Sequence, residues 1–496
     1  MAQAVLCVIF FGLVLLPHLC TSYQASYNPG SRRFIIQSSS NDESQASTSM
    51  PACSSIPSGP ANENRLPLMH RDSPCSPLAS AGKKNRQASS TDVFERDVQR
   101  LRTIFAVARP GKADASAAAP TPAPASGVTL PITGTDNSPV LGSLDYSVTV
   151  GFGTPAQKLS MDFDTLRLGR VSTLRCKPCR AGAAPCDPAF DPSMSSSFAG
   201  VACGPECPSV CHGSACSLNM TFWTNHSMLV VANGTYVKDT LTLSPSATVD
   251  NFVLACIDVD RFHLFTRSSG LLDLSRSSFS LVSRLATSTS PADNTTAAFS
   301  YCLPASPASS RGFLSIGGAL PDLSGGDAGS TPLVDNTVYY KNDYLVKLSG
   351  INVGGTDLPI PATESSLAAL EVGASFTFFV PGIYGALRDE FRKQMTKYKM
   401  APPYRGLDTC YNFTGLPGFE VPGIILEFEG GATLQPDMDQ MMYFVDGDDS
   451  FNYVCLAFGA LPGQFPYSVI GNRAQQTVEV VYDVRGGKVG FIHGSC

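Results

Sequence analysis

The chain has 496 residues, 43% of them hydrophobic and only 15% charged, and carries a formal net charge of −6. That length exceeds one small domain and accommodates two lobes plus removable segments, and the acidic balance excludes a nucleic-acid surface, which needs a basic face. With 43 Gly and 37 Pro among few charges, the composition favours many short strands and turns over long solvated helices.

Residues 1–22 read as a secretory signal. Ala4 to Leu16 is almost wholly apolar and small and polar residues follow at Cys20-Thr21-Ser22. No Lys or Arg precedes the apolar run, which is short for crossing a bilayer, and no later stretch has the length a span requires. A soluble exported product without a membrane anchor is the expectation. Residues 23 to about 90, rich in Ser, Asn and Pro with little periodicity, read as disordered. The basic run Lys83-Lys84-Asn85-Arg86 within them reads as solvated linker. Asp92 to Val107 predicts a helix: Asp92 can cap, Glu95 follows three residues on, and Phe94, Val98, Leu101 and Phe105 form one stripe. Ala115 to Gly127 is an Ala/Pro/Ser linker. From about Leu141 the pattern turns to short alternating strands. Tyr146 to Val150 alternates and turns at Gly153-Thr154-Pro155; Leu159, Met161 and Phe163 alternate again and lead into Asp164-Thr165. A buried strand ending in an acid is notable, because burying a carboxylate is costly unless it is bonded or has a task.

Of the 16 cysteines, Cys7 and Cys20 lie in the signal and Cys53 and Cys75 in the next segment. The remaining dozen, Cys176, Cys179, Cys186, Cys203, Cys207, Cys211, Cys216, Cys256, Cys302, Cys410, Cys455 and Cys496, imply six bridges in an exported chain. Zinc at Cys176-Lys177-Pro178-Cys179 lacks a second CxxC or His pair to complete a tetrahedron, so no metal and no cofactor is expected. Sequons at Asn219, Asn225, Asn233, Asn294 and Asn412 fit a glycosylated product.

From Tyr146 to Cys496 the residues resemble the plant pepsin-like aspartic proteases of the cysteine-rich nepenthesin-type branch. Gly151-Phe152-Gly153-Thr154-Pro155 followed by Phe163-Asp164-Thr165 resembles the lead-in to the first catalytic acid. Phe299 to Pro304, Ile351 to Gly355, Asp408-Thr409-Cys410-Tyr411, Cys455 to Phe458 and the tail from Val469-Ile470-Gly471-Asn472 to Val489-Gly490-Phe491 continue the match in family order. His70-Arg71-Asp72-Ser73-Pro74 resembles propeptides of the branch. The resemblance implies a mainly all-β, bilobal pepsin-like fold: two six-stranded-barrel-type lobes with a central cleft. The expected division is signal 1–22, propeptide-like segment and linker 23–140, N-terminal lobe 141–335 and C-terminal lobe 336–496. It also implies the bridges Cys176–Cys179, Cys186–Cys256, Cys203–Cys216, Cys207–Cys211, Cys302–Cys496 and Cys410–Cys455.

Pepsin-type hydrolysis needs two Asp carboxylates, one per lobe, about 3 Å apart and sharing a proton. One activates a water and the other donates to the scissile carbonyl. Each acid sits in an Asp-Thr/Ser-Gly-Thr/Ser loop, where Gly admits close backbone approach and the hydroxyls fix the loop across the lobe boundary. The chain departs from this pattern. Its first loop reads Asp164-Thr165-Leu166-Arg167, with Leu in place of Gly and two extra residues before Cys176. Counting back from Tyr384-Gly385-Ala386-Leu387-Arg388 places the second acid at Glu371, in Glu371-Val372-Gly373-Ala374, where both hydroxyls are gone. Glu moves a carboxylate by about 1.5 Å, and a misplacement of about 1 Å can cost around a hundredfold in rate. In the apolar-apolar-Gly segments beside the loops, the C-lobe keeps Val469-Ile470-Gly471 but the N-lobe reads Leu271-Leu272-Asp273. The flap region, Phe222-Trp223-Thr224-Asn225-His226, lacks the usual Tyr. Asp239-Thr240 and Asp408-Thr409 match other landmarks and do not substitute.

The leading expectation is therefore a secreted, monomeric pseudo-protease of the apoplast or vacuole, holding a peptide or protein in its cleft but hydrolysing it weakly or not at all. Two alternatives stand: an acid endopeptidase using Asp164 and Glu371, or, by resemblance to plant relatives with degraded sites, an inhibitor whose partner is a microbial glycosidase such as a xylanase.

Overall fold

A computed structural model describes residues 22–39, 65–70, 73, 75–76, 90–108 and 145–495, apart from 167–170, 177–188, 210, 213–214, 224–227, 246, 261–267, 289–297, 306–311, 318–319, 324–327, 335–341, 446–452 and 463–464. The fold is mainly β and two-lobed, as expected. Strands β4 (Tyr146–Phe152) and β5 (Gln157–Asp164) pair antiparallel across the tight turn that Gly153 begins with a φ of 90°. In β5 every residue from Leu159 to Asp164 is buried, on both faces of the sheet. The apolar alternation fills the core, while Asp162 meets Ser268 Oγ at 2.6 Å.

Each lobe repeats one unit. In the N-lobe, β5 runs parallel to the strand Gly270–Asp273, with Asp273 level with Asp164, and helix α2 (Leu281–Ser288) follows. In the C-lobe, the strand Leu367–Leu370 runs parallel to Ser468–Ile470, the Glu371 N–H donates to Ile470 O at 2.9 Å, and helix α3 (Pro381–Gln394) follows the next strand. The two units bring the ends of their first strands, Asp164 and Glu371, to face each other between the lobes. A shared layer ties the lobes together. The C-terminal strands Val478–Asp483 and Lys488–His493 pair with Ala298–Cys302 and Ala328–Pro332.

The N-terminal segment is more structured than its composition suggests. Strands β1 (Ser22–Asn28) and β2 (Arg33–Ser39) form a hairpin that adds to the C-lobe strand Gly418–Pro422. Strand β3 (Arg65–His70) lies between Phe313–Ser315 and β4, so it completes the interlobe layer. Ser, Asn and Pro with little periodicity make 23–90 read as disordered. In its described strands, sheet edges supplied by the lobes override that, and Phe34, Ile36, Leu66 and Leu68 are buried in the core. The predicted helix forms as α1 (Ser90–Ala108). Phe94, Val98 and Leu101 are buried as expected, but so are Arg96, Asp97 and Arg100.

Four disulfides lie wholly within the described residues. Cys410–Cys455 is as expected and joins two paired strands. Three others correct the expected pairing. Cys176 bonds Cys256, not Cys179, because strand β6 (Thr173–Arg175) runs parallel to Ala247–Asp260 with Leu174 opposite Cys256. Cys186 therefore does not hold Cys256, and Cys179 and Cys186 themselves fall outside the described residues. Cys203 bonds Cys211 and Cys207 bonds Cys216, instead of Cys203–Cys216 and Cys207–Cys211. The short ladder that sets Cys211 opposite Cys216 presents two sulfurs at one place, and the path of the preceding loop decides which is met first. Cys302 is also disulfide-bonded, and its expected partner Cys496 lies outside the described residues.

Candidate active site

The first loop keeps its geometry despite Leu166. The Leu166 N–H donates to Asp164 Oδ1 at 2.8 Å, the support the family draws from its Gly, and the Leu166 side chain is buried in the core. Leu166 does not have a positive φ, so Leu in place of Gly does not strain the backbone there. Thr165 Oγ1 donates across the lobe boundary to Leu370 O at 2.9 Å. In the second loop the Gly373 N–H donates to Glu371 Oε1 at 2.7 Å. Val372, the counterpart of Thr165 in this loop, has no hydroxyl to return the cross-lobe bond. Its carbonyl accepts from Asn472 Nδ2 at 3.0 Å, and Gln475 Nε2 braces Ile470 O at 2.8 Å. The extra methylene of Glu371 thus does not carry its carboxylate out of the site.

What lies between the acids was not legible as a site residue. Arg100 of α1 places Nη2 at 2.8 Å from Asp164 Oδ1 and 2.7 Å from Glu371 Oε1, with Nε 3.2 Å from the same Glu371 oxygen. One guanidinium nitrogen separates the inner oxygens of the pair. Arg100 and Glu371 are 0% exposed and Asp164 1%. A Cβ on Gly373 would stand 2.4 Å from Arg100 Cζ, so Gly373 is the floor on which the guanidinium lies. One turn earlier, Asp97 Oδ2 accepts from the Ser375 N–H at 2.7 Å and the Phe376 N–H at 2.9 Å. Phe94 packs against Phe376 and Phe378 at 5.8 and 5.3 Å between ring centroids. Asp145 accepts from Ser375 Oγ at 2.6 Å and Asn472 Nδ2 at 3.1 Å, joining β4 to the same loop.

The family models that match are "Xylanase inhibitor N-terminal" over residues 146–318 and "Xylanase inhibitor C-terminal" over 343–493. An aspartyl protease family protein of Arabidopsis thaliana is 31% identical over 91% of this chain and 92% of its own length. Aspartyl protease AED1 of the same plant is 31% identical over 91% of each chain. The chain belongs to the plant pepsin-like aspartyl protease family. Nepenthesin-1 of Nepenthes gracilis, at 26% identity over 73% of this chain and 80% of its own, agrees with that branch. Two solved seed-globulin structures share the fold alone. Basic 7S globulin from soybean has 17% identity and a TM-score of 0.51 over 71% of this chain and 91% of its own. Conglutin gamma from lupine has 17% identity and 0.53 over 70% and 91%.

In this aspartyl protease relative the other sequence candidates are dispersed. Asp239 accepts from Ser195 and Ser197 hydroxyls beneath the N-lobe surface, and Asp408 holds Arg392 at 3.2 Å near α3. Asp273 is accommodated where Gly was expected, because its Oδ1 accepts from the Ser275 N–H at 2.9 Å and its own N–H donates to Ser172 Oγ at 3.0 Å. Trp223 ends the strand Ala215–Trp223 opposite Met228, while Thr224 to His226, and with them the Asn225 sequon, lie outside the described residues. So do Asn294 and residues 167–170 of the stretch before Cys176 that is two residues longer than usual. Asn233 and Asn412 are exposed, and Asn219 lies in a strand. Among the described residues no cluster of His, Cys, Asp and Glu could hold a metal ion, and no helix is long and apolar enough to cross a membrane.

Burial pushes the Glu371 carboxyl up to about 8, opposed by Arg100 and reinforced by Asp164. Burial also raises Asp164 against the pull of Arg100, and the guanidinium remains charged. A single proton retained on the acid pair makes the three-group cluster neutral, which a dry site favours. Burial similarly pushes Asp97 up to about 7. Both acids bind a proton more tightly folded than unfolded. Their stabilising contribution is therefore intact below their ordinary values of 3.8 and 4.5 and lost as pH rises through about 7 and 8. The melting temperature is expected to fall between about pH 5 and 8, and to fall less steeply in Glu371→Gln and Asp97→Asn. Parallel curves for all three proteins would refute the linkage.

Proposed function

We propose that this chain is a member of the aspartic-protease family that hydrolyses peptide bonds weakly or not at all, its acid pair holding a guanidinium instead of activating water. The observation that supports this reading is Arg100 Nη2 standing between Asp164 Oδ1 and Glu371 Oε1, where a nucleophilic water would have to bind. The second acid is a Glu bound to the edge of that guanidinium through both Nε and Nη2, and the loop that carries it lacks its hydroxyls. On this reading residues 23–140 supply an in-cis ligand for the cleft. Residues 1–22 and the disulfides fit export to an oxidising compartment, apoplast or vacuole. Full-length protein and the Arg100→Ala variant are both expected to cleave a denatured protein at pH 3–5 no faster than Asp164→Ala. Pepstatin-sensitive turnover by either would overturn the proposal.

The convergence of the two carboxylates is the observation that favours a second reading, a latent acid endopeptidase using Asp164 and Glu371 once α1 leaves. Activity in Arg100→Ala alone, abolished by Glu371→Ala, would establish it. The descriptions of the two matching family models favour a third, a glycosidase inhibitor. Slowing of a xylanase in a panel of microbial xylanases and glucanases is its test.

A further inference from the structure

The N-lobe carries a cavity built from residues that the acid pair does not use. Two long strands, Met228–Ser244 and Ala247–Asp260, pair so that Lys238 stands opposite Val253. Farther along, Asp250 and Asn251 together face Thr240 alone, a β-bulge in which Asn251 takes a φ of 52°. Helix α2 packs against the second of these strands. The Ser280 hydroxyl caps that helix by accepting from the Ser283 N–H at 3.2 Å, so Ser278 and Phe279 come from its lead-in and Arg284 from its first turn. Arg284 Nη2 donates to the bulge carbonyl, Asn251 O, at 3.2 Å, which fixes the guanidinium at the wall. The turn carrying Pro205 and Glu206 is pinned from both ends by Cys203–Cys211 and Cys207–Cys216. Together these parts line a cavity of about 480 Å³, a size that takes small organic ligands.

Two cations, Lys238 and Arg284, meet one carboxylate, Glu206, so the lining has one positive charge in excess. Glu206 Oε2 stands 3.6 Å from Lys238 Nζ, but the Glu206 side chain is 71% exposed. An ion pair this open to water holds weakly. Glu206 can therefore turn into solvent and release Lys238 to a carboxylate from outside. Its present position shows the kind of group Lys238 attracts. Arg284 has five N–H donors, of which the bond to Asn251 O uses one, and its planar fork matches a carboxylate. Val253, Phe279 and Pro205 add apolar surface that an inorganic anion would leave unused.

We infer that this cavity binds a small organic carboxylate, its charge shared by Lys238 and Arg284 and its apolar body against Phe279 and Val253. Glu206 is the internal competitor that the ligand displaces from Lys238.

The test is calorimetric titration of the full-length chain with three probes. Benzoate has the charge and the ring, benzamide the ring without the charge, and acetate the charge without the ring. Benzoate is expected to bind saturably, and the other two at least tenfold more weakly, the loss of a charge-assisted contact or of the apolar body. Lys238→Met and Arg284→Met keep most of the apolar stem and should each weaken benzoate about tenfold. Glu206→Gln should tighten it severalfold, and rising salt should weaken it. Far-UV circular dichroism checks that each variant is folded. If a methionine variant does not fold, the three-probe series on the wild-type chain and Glu206→Gln decides. Absence of saturable benzoate binding, equal affinity for benzoate and either of the other probes, or benzoate affinity unchanged in both folded methionine variants overturns the inference. None of these outcomes depends on whether the acid pair hydrolyses peptides.

Discussion

Arg100→Ala is expected to cost the docked state about 3–5 kcal/mol, the penalty for removing one partner from a buried ion cluster. The argument rests on what is left behind. Asp164 and Glu371 are both buried against the same guanidinium, and the second oxygens of both, Oδ2 and Oε2, have no hydrogen-bond partner among the described residues. Without the guanidinium, among the described residues only the Leu166 and Gly373 N–H groups remain to oppose the charge of the inner oxygens. The cost is capped by the free energy of docking α1, since the helix can leave and admit water. Hydrogen exchange is therefore the better readout. Amide protection across residues 94–104 should drop by roughly a hundredfold or more while the C-lobe core strands stay protected. The double variant Arg100→Ala/Glu371→Gln should recover part of the loss, because it no longer buries a second ionisable acid. Unchanged protection of α1 in Arg100→Ala would show that the cluster contributes nothing to docking.

Gly471→Ala is expected to be at least as damaging, by more than about 3 kcal/mol, at the upper end for overpacking a close-packed core. A Cβ there would lie 2.2 Å from Phe376 O and 2.7 Å from Ser375 O, both backbone atoms. The segment cannot retreat. The Gly471 N–H is held by Thr377 Oγ1 at 3.1 Å, the Asn472 N–H by Ala374 O at 2.7 Å, and Gln475 Nε2 grips Ile470 O and Gly471 O. The N-lobe counterpart behaves differently. Asp273 stands level with Asp164 as Gly471 does with Glu371, yet its side chain is bonded to the Ser275 N–H. Asp273→Gly should cost only about 1 kcal/mol, the worth of one such hydrogen bond. Thermal denaturation of the two variants checks the asymmetry, and a mild Gly471→Ala would show that the C-lobe loop is looser than its contacts imply.

Much of the site was legible because it is written in local patterns. The alternation Leu159, Met161, Phe163 fixes which side chains of β5 share one face and leads to Asp164 at its end. The count back from α3 finds Glu371 because the chain between them has no insertion. Leu in place of Gly at 166 reads as a departure from the loop pattern, but its N–H still supports Asp164, and its side chain is buried in the core. Arg100 was missed for a different reason. Beside the apolar stripe of α1, Asp97 and Arg100 look like a solvated face, and nothing local says that the face meets the carboxylate of Asp164 in the N-lobe, and that of Glu371 with a pair of N–H groups more than 270 residues away in sequence.

By itself, then, the sequence determined the family, the mainly β two-lobed fold, the strand ends that carry the acids and the existence of α1, because each follows from short-range periodicity and motif order. Only the tertiary structure decided that the acids meet, that Arg100 stands between them, that β1 to β3 join the lobes' sheets, and which cysteines pair. These depend on where distant segments cross, and backbone edges, buried charges and sulfurs accept whichever partner the topology brings within reach.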